Sequence, residues 1–131
     1  MVAPAEESAD LARARAAYVE AQHVLAEACD ALARVAHLSR VAADAGIDHI
    51  ESGGLASQIP EVTGIRDLRR EINAVFAAYD AARIETRSWT MALAAAEGTS
   101  LAAIAKGFGV SRQYASKLLA EHPHEIGSAP A

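Results

Sequence analysis

Arg112, Gln113, Ser116 and Lys117 follow one another at i, i+1, i+4 and i+5. On a helix, that spacing puts the four side chains on one face. Two carry positive charge and two offer neutral hydrogen-bonding groups, with no base beside Ser116 to make it a nucleophile. Such a set suits recognition of an anionic surface by charge and hydrogen bonding, not bond making. The other candidates for chemistry are weaker. His122 and His124 flank a proline near the chain end with no third ligand nearby, too few for a metal clip. His23 and His37 read as helix-surface or interface residues. The single cysteine, Cys29, excludes an intrachain disulfide and a cysteine-based zinc cluster, and is expected at a packed interface as a small hydrophobe. The carboxylates are dispersed, with no pair held among apolar neighbours. No catalytic residue, metal or cofactor is expected, and the chain does not read as an enzyme.

What must position those four side chains is the segment Ser100 to Leu119. An apolar helix (Leu101, Ile104, Ala105, Phe108) runs into Gly109-Val110-Ser111 and then into a second helix, Arg112 to Leu118. Ala105 is small enough for the helices to cross closely. Gly109 can take the positive φ that a tight interhelical turn needs. Val110 is placed to bury under the turn, and Ser111 to cap the next helix.

This order of residues resembles the helix-turn-helix of phage-repressor and Cro type, and that of the C-terminal domain of sigma factors, over residues 84–120. The resemblance implies a trihelical DNA-binding unit whose first helix is Glu85 to Glu97, ended by Gly98, with Thr99 or Ser100 capping the next. It implies that Arg112 and Gln113 reach base edges, Arg suiting guanine O6/N7 and Gln adenine N6/N7, with Ser116 and Lys117 one turn on. Phosphate contacts are implied for Ser100, Lys106 and Ser111, and for Arg87 at greater distance. Two residues depart from the family pattern. Ala115 stands where Val or Ile is usual. Tyr114 occupies a first-turn position where a smaller polar residue is common, and can reach a phosphate through its hydroxyl or pack inward.

The 131-residue chain has a net charge of −5, which runs against DNA binding until it is divided along the sequence. Residues 1–60 carry nine acids against four arginines, whereas residues 83–120 carry five cations against two carboxylates. The positive charge travels with the motif, as an electrostatic footprint requires. It is modest, so useful affinity calls for two or more copies on one DNA. Hydrophobic residues make up 52% but aromatics only 5%, with alanine dominant, which favours helix throughout. No apolar run approaches the ~20 residues of a membrane span. The start, MVAPAEESAD, lacks the pattern of a secretory signal. A cytoplasmic, nucleoid-associated protein is expected.

An all-α fold follows. A long helix is predicted from about 8 to 45, with Ser8 as cap and Gly46 as stop. Its apolar positions recur every seven residues: Leu11, Tyr18, Leu25 and Leu32, interleaved with Ala14, Ala21, Ala28 and Val35. A rod of about 55 Å cannot bury that stripe on a small head alone and needs another long helix, from its own chain or a second one. Leu11, Tyr18, Leu25 and Leu32 are the expected oligomer interface, and a second row (Val24, Ala31, Leu38) favours a bundle over a thin two-stranded coil. Residues 46–60 read as a loop, with Gly53-Gly54 flexible and without the lysine or preceding strand that a phosphate-cradling loop needs. A second long helix is predicted from about 61 to 82 or beyond, with nothing to break it before Glu97. The expected division is an oligomerisation or partner region at 1–82, a DNA-binding region at 83–121 and a tail at 122–131.

Three functions fit these features. The first is a transcriptional regulator binding double-stranded DNA as a homodimer or higher oligomer. The second is an architectural or packaging protein resembling a phage small terminase subunit. The third is an adaptor that binds a protein partner, such as a sigma factor, through the acidic N-terminal helix.

Overall fold

The computed structural model describes residues 8–121, and among these there is no strand. The helices are α1 (Ala9–Glu51), α2 (Ile59–Thr63), α3 (Ile65–Ala96), α4 (Leu101–Phe108) and α5 (Arg112–Ala120), with one 3-10 turn at Ala56–Gln58. No helix among the described residues is long and apolar enough to cross a membrane. The expected tail at 122–131, with His122 and His124, lies outside the described residues.

Ser8 caps α1, its Oγ accepting from the Leu11 amide at 3.0 Å. The helix does not stop at Gly46 but continues to Glu51, so Ile47 and Ile50 are helical rather than in a loop. One interior glycine costs only about 1 kcal/mol, which a helix of this length tolerates. Ile59 and Thr63 are the side chains nearest the bare Cα of Gly46. The true stop is Gly53-Gly54. Gly53 N–H bonds to the Ile50 carbonyl at 3.0 Å and Gly54 N–H to the His49 carbonyl at 2.8 Å, which close the helix in an ordered cap rather than a flexible loop. The His49 ring lies over Gly54, where a Cβ would collide with it, and its Nε2 reaches the Leu55 carbonyl at 3.1 Å and Gln58 Oε1 at 3.0 Å.

The predicted second helix is broken as well. Gly64 adopts a left-handed φ of 66° and ends α2, and α3 begins one residue later. From there α3 runs unbroken through Ala96, as the absence of Gly and Pro over that stretch predicts.

The chain forms two compact units. Leu25–Ala81 is one; residues up to Val24 and from Ala82 onward make the other. Residues 9–24 of α1 thus fall in the unit that carries α4 and α5. The cause is Trp89 and Ala92, which need cover and receive it from Ala17, Tyr18 and Ala21. The Thr86 hydroxyl shares its one proton between the Ala82 carbonyl at 2.8 Å and the Ala21 carbonyl at 3.2 Å, tying α3 to α1.

In the other unit Val35 and Ala42 are buried, and Arg34 pairs with Glu71 of α3 at 2.8 Å. That exposed pair contributes little to stability.

The seven-residue stripe on α1 therefore packs on α3 of its own chain. Ala14, Ala21, Val35 and Ala42 are its buried positions. Leu11, Tyr18, Leu25 and Leu32, expected at an oligomer interface, are half-buried within the single chain. Val24 (46% exposed) and Leu38 (37%) of the second row remain at the surface, and Cys29 is exposed.

Met91 is fully buried and Val19 is 50% exposed. Met91→Ala should therefore cost about 2–5 kcal/mol in urea denaturation, whereas Val19→Ala should stay within about 0.5 kcal/mol.

Candidate nucleic-acid interface

The helices α4 and α5 are joined by Gly109, Val110 and Ser111, and each begins with a serine cap. Ser100 Oγ accepts from the Ala103 amide at 3.2 Å, and Ser111 Oγ from the Tyr114 amide at 3.0 Å. Both serines have extended backbone, as an N-cap requires. At the turn, Gly109 has φ 66°, a conformation that a Cβ would strain. It lets Gly109 N–H reach the Lys106 carbonyl at 3.2 Å and Val110 N–H reach the Ala105 carbonyl at 3.0 Å. Thus the Ala105 and Lys106 carbonyls at the end of α4 are satisfied, and the chain turns directly into the next cap.

Beneath the turn lies one apolar cluster: Met91 of α3, Ile104 and Ala105 of α4, and Ala115 and Leu118 of α5. Leu101, Phe108, Val110 and Tyr114 pack against it from the edge. Ala115 is fully buried although small; Met91 and Ile104 share its cluster and occupy the room that a larger anchor would take. The Ser88 hydroxyl donates to the Leu118 carbonyl at 3.2 Å, fixing the end of α5 to α3. Sequence reasoning missed Ser88 and Thr86. Both are small hydroxyl residues on an otherwise apolar stretch of helix, a signature of side chains that bond carbonyls inside a core.

With Ala115 and Leu118 turned inward, Arg112, Gln113, Ser116 and Lys117 are all exposed. Ser100, Lys106 and Ser111 are exposed as well, and Arg87 and Tyr114 are half-buried. Tyr114 packs its ring against the cluster, the inward alternative that its first-turn position left open. Between Gly98 and Ala120 the sequence has three cations and no carboxylate. The arrangement offers hydrogen bonds and positive charge on one face of a helix. Among the described residues no set of three or more His, Cys, Asp or Glu is placed to hold a metal ion.

No family model matches this chain, and neither a curated protein nor a solved structure is detectably similar to it.

Gly107 within α4 and Gly109 at its cap should respond in opposite ways. Gly109→Ala forces a side chain into the left-handed region and should destabilise by about 1–2 kcal/mol. Gly107 has open space where its Cβ would stand and no positive φ, so Gly107→Ala should stabilise by about 0.5–1 kcal/mol. Thermal denaturation of the two variants beside the parent chain measures both.

Proposed function

We propose that α3, α4 and α5 act as a helix-turn-helix and that the protein is a sequence-specific DNA-binding regulator. The observation that carries this reading is the two-sidedness of α5. One face is locked by Ala115 and Leu118, while the other presents Arg112, Gln113, Ser116 and Lys117 to solvent. A rigid helix with free hydrogen-bonding side chains at its capped end fits the major groove. In this reading Arg112 and Gln113 read base edges, and Ser116 and Lys117 contact the next base or the backbone. The exposed groups of Ser100, Lys106 and Ser111 lie against phosphates, with Tyr114 and Arg87 at the margin.

Three cations on the motif neutralise few phosphates, so the protein binds as a dimer or higher oligomer. Because the stripe of Leu11, Tyr18, Leu25 and Leu32 is partly used within the chain, the second copy packs on their open edges and on the neighbouring row of Val24, Ala31 and Leu38.

Selection of bound sequences from a random DNA pool, with molar mass measured by sedimentation, tests both parts. The expected outcome is an inverted repeat with half-sites about 10 bp apart, bound by a dimer. A monomer at micromolar concentration, or no enrichment even at low salt, would overturn the respective part; the latter result would favour a protein-binding adaptor. Within a recovered site, Arg112→Ala should cost about 1–3 kcal/mol and relax preference at one base, whereas Lys106→Ala should weaken all sequences alike and shallow the salt slope.

A further inference from the structure

The compact unit of residues 25–81 ends where α1 passes through the 3-10 turn and α2 into α3, and apolar side chains gather at that end without cover. Ile47 and Ile50 on the last turns of α1, Leu55 after its cap and Val62 on α2 are each about half-exposed or more, Leu55 the most at 64%. They do not hang on a loose loop. The His49 ring over Gly54, with its bonds to Leu55 and Gln58, holds the turn against the end of α1.

Beside these side chains, within the same unit, runs an open groove of about 270 Å³. Its wall on α1 is built of small residues, Ala42, Ala43 and Gly46, and the facing wall of Ile59, Thr63 and Ile65. The two hydroxyls at the groove are already engaged: Ser39 donates to the Val35 carbonyl at 2.8 Å and Thr63 to the Ile59 carbonyl at 2.7 Å. The groove therefore rewards an apolar side chain and offers no hydroxyl proton to a polar one. At below the ~300 Å³ where sites for drug-sized molecules begin, it has room for one or two aliphatic side chains.

Charge narrows the choice of occupant. From Val41 to Ile65 the sequence has four carboxylates, Asp44, Asp48, Glu51 and Glu61, and no Lys or Arg. Asp44 meets Arg40 at 3.5 Å, whereas Asp48, Glu51 and Glu61 join no ion pair among the described residues. Nucleic acid and acidic lipid are repelled from such a surface. A second copy does not fit it: the cationic helix α5 and the arginine-bearing start of α3 turn their apolar residues into their own fold, and residues 1–7 and 122–131 contain no Lys or Arg. An extended peptide has no strand edge to pair with among the described residues. An amphipathic helix with apolar anchors on one side and cations beside them satisfies both the groove and its charged surroundings.

We infer that this end of the unit docks a basic amphipathic helix of a different protein, with its apolar anchors in the groove and on Ile50 and Leu55, and its cations facing Asp48, Glu51 and Glu61. The surface lies beyond the rows assigned to a second copy, and the inference is independent of DNA binding.

The probe is a short fluorescein-labelled peptide of leucine and lysine, its leucines at i, i+3, i+4 and i+7. Titrated with the full chain in the absence of DNA, its anisotropy should rise saturably, and less steeply as salt is added. A scrambled peptide of the same composition, and one with glutamate for lysine, should not respond. Ile50→Ser with Leu55→Ser should weaken binding by more than about tenfold, and Glu51→Gln with Glu61→Gln by about fivefold. Glu20→Gln with Glu97→Gln, which removes the same charge elsewhere, should change nothing. All six positions are exposed, and unchanged circular dichroism would show that each variant is folded. No saturable binding, equal binding of the scrambled peptide, undiminished binding in either folded variant of this surface, or an equal loss in the distant pair would overturn the inference. So would a fall in molar mass on Ile50→Ser with Leu55→Ser, which would hand the surface to a second copy, or uptake of the parent chain by phosphatidylcholine vesicles, which would hand it to a membrane. Loss of DNA binding, or a monomeric parent chain, would leave it standing.

Discussion

Over its last four turns α3 has to be buried on two sides at once, and the C-terminal unit is organised around that requirement. Ala82, Thr86, Ser88, Trp89, Met91 and Ala92 are all buried. At about 100° per residue they span roughly 220° of the helix circumference, well beyond the stripe of an ordinary surface helix. One sector, with Trp89 and Ala92, meets α1; the other, with Met91, meets α4 and α5. Thr86 and Ser88 fall inside this arc and escape the cost of buried hydroxyls by donating to carbonyls of Ala21 and Leu118. Those bonds do more than satisfy the hydroxyls. They fix where α1 and α5 lie against α3, because a hydrogen bond has a direction and apolar contact does not.

The outward face of α5 is a consequence of that fixing. Three helices, α1, α3 and α4, close with the same pair of backbone bonds around a left-handed glycine, at Gly53, Gly98 and Gly109. After Gly98 and Gly109 a serine cap follows within two residues, so each new helix starts almost where the last one stopped. The turns leave little freedom in the direction or rotation of α5. With Ala115 and Leu118 inward, the polar positions have nowhere to go but out.

Much of this was readable in the residue order, for physical reasons that differ by element. The caps at Ser8, Ser100 and Ser111 and the turn at Gly109 depend on local backbone chemistry, which a sequence carries in full. The seven-residue stripe of α1 was equally plain, but its partner was not, since a stripe records that a face is buried and not what buries it. Gly46 and Gly64 mark the opposite limit. A glycine inside a helical pattern can continue the helix or end it, and tertiary packing decides: Gly46 is carried through while Gly64 turns left-handed. The membership of Ala9–Val24 in the C-terminal unit was hidden for a similar reason. Only long-range cover of Trp89 and Ala92 reveals it.

The charge distribution poses the remaining question, how a chain of net −5 approaches a polyanion. Screening supplies the answer within the proposed reading. At physiological salt a charge is felt over about 8 Å, so acids farther than that from α5 count for little at a phosphate surface. What counts is the local balance, and from Gly98 to Ala120 it holds Lys106, Arg112 and Lys117 with no carboxylate. In the proposed reading the net negative charge opposes indiscriminate adhesion to nucleic acid, and binding depends on the few directional contacts that α5 offers.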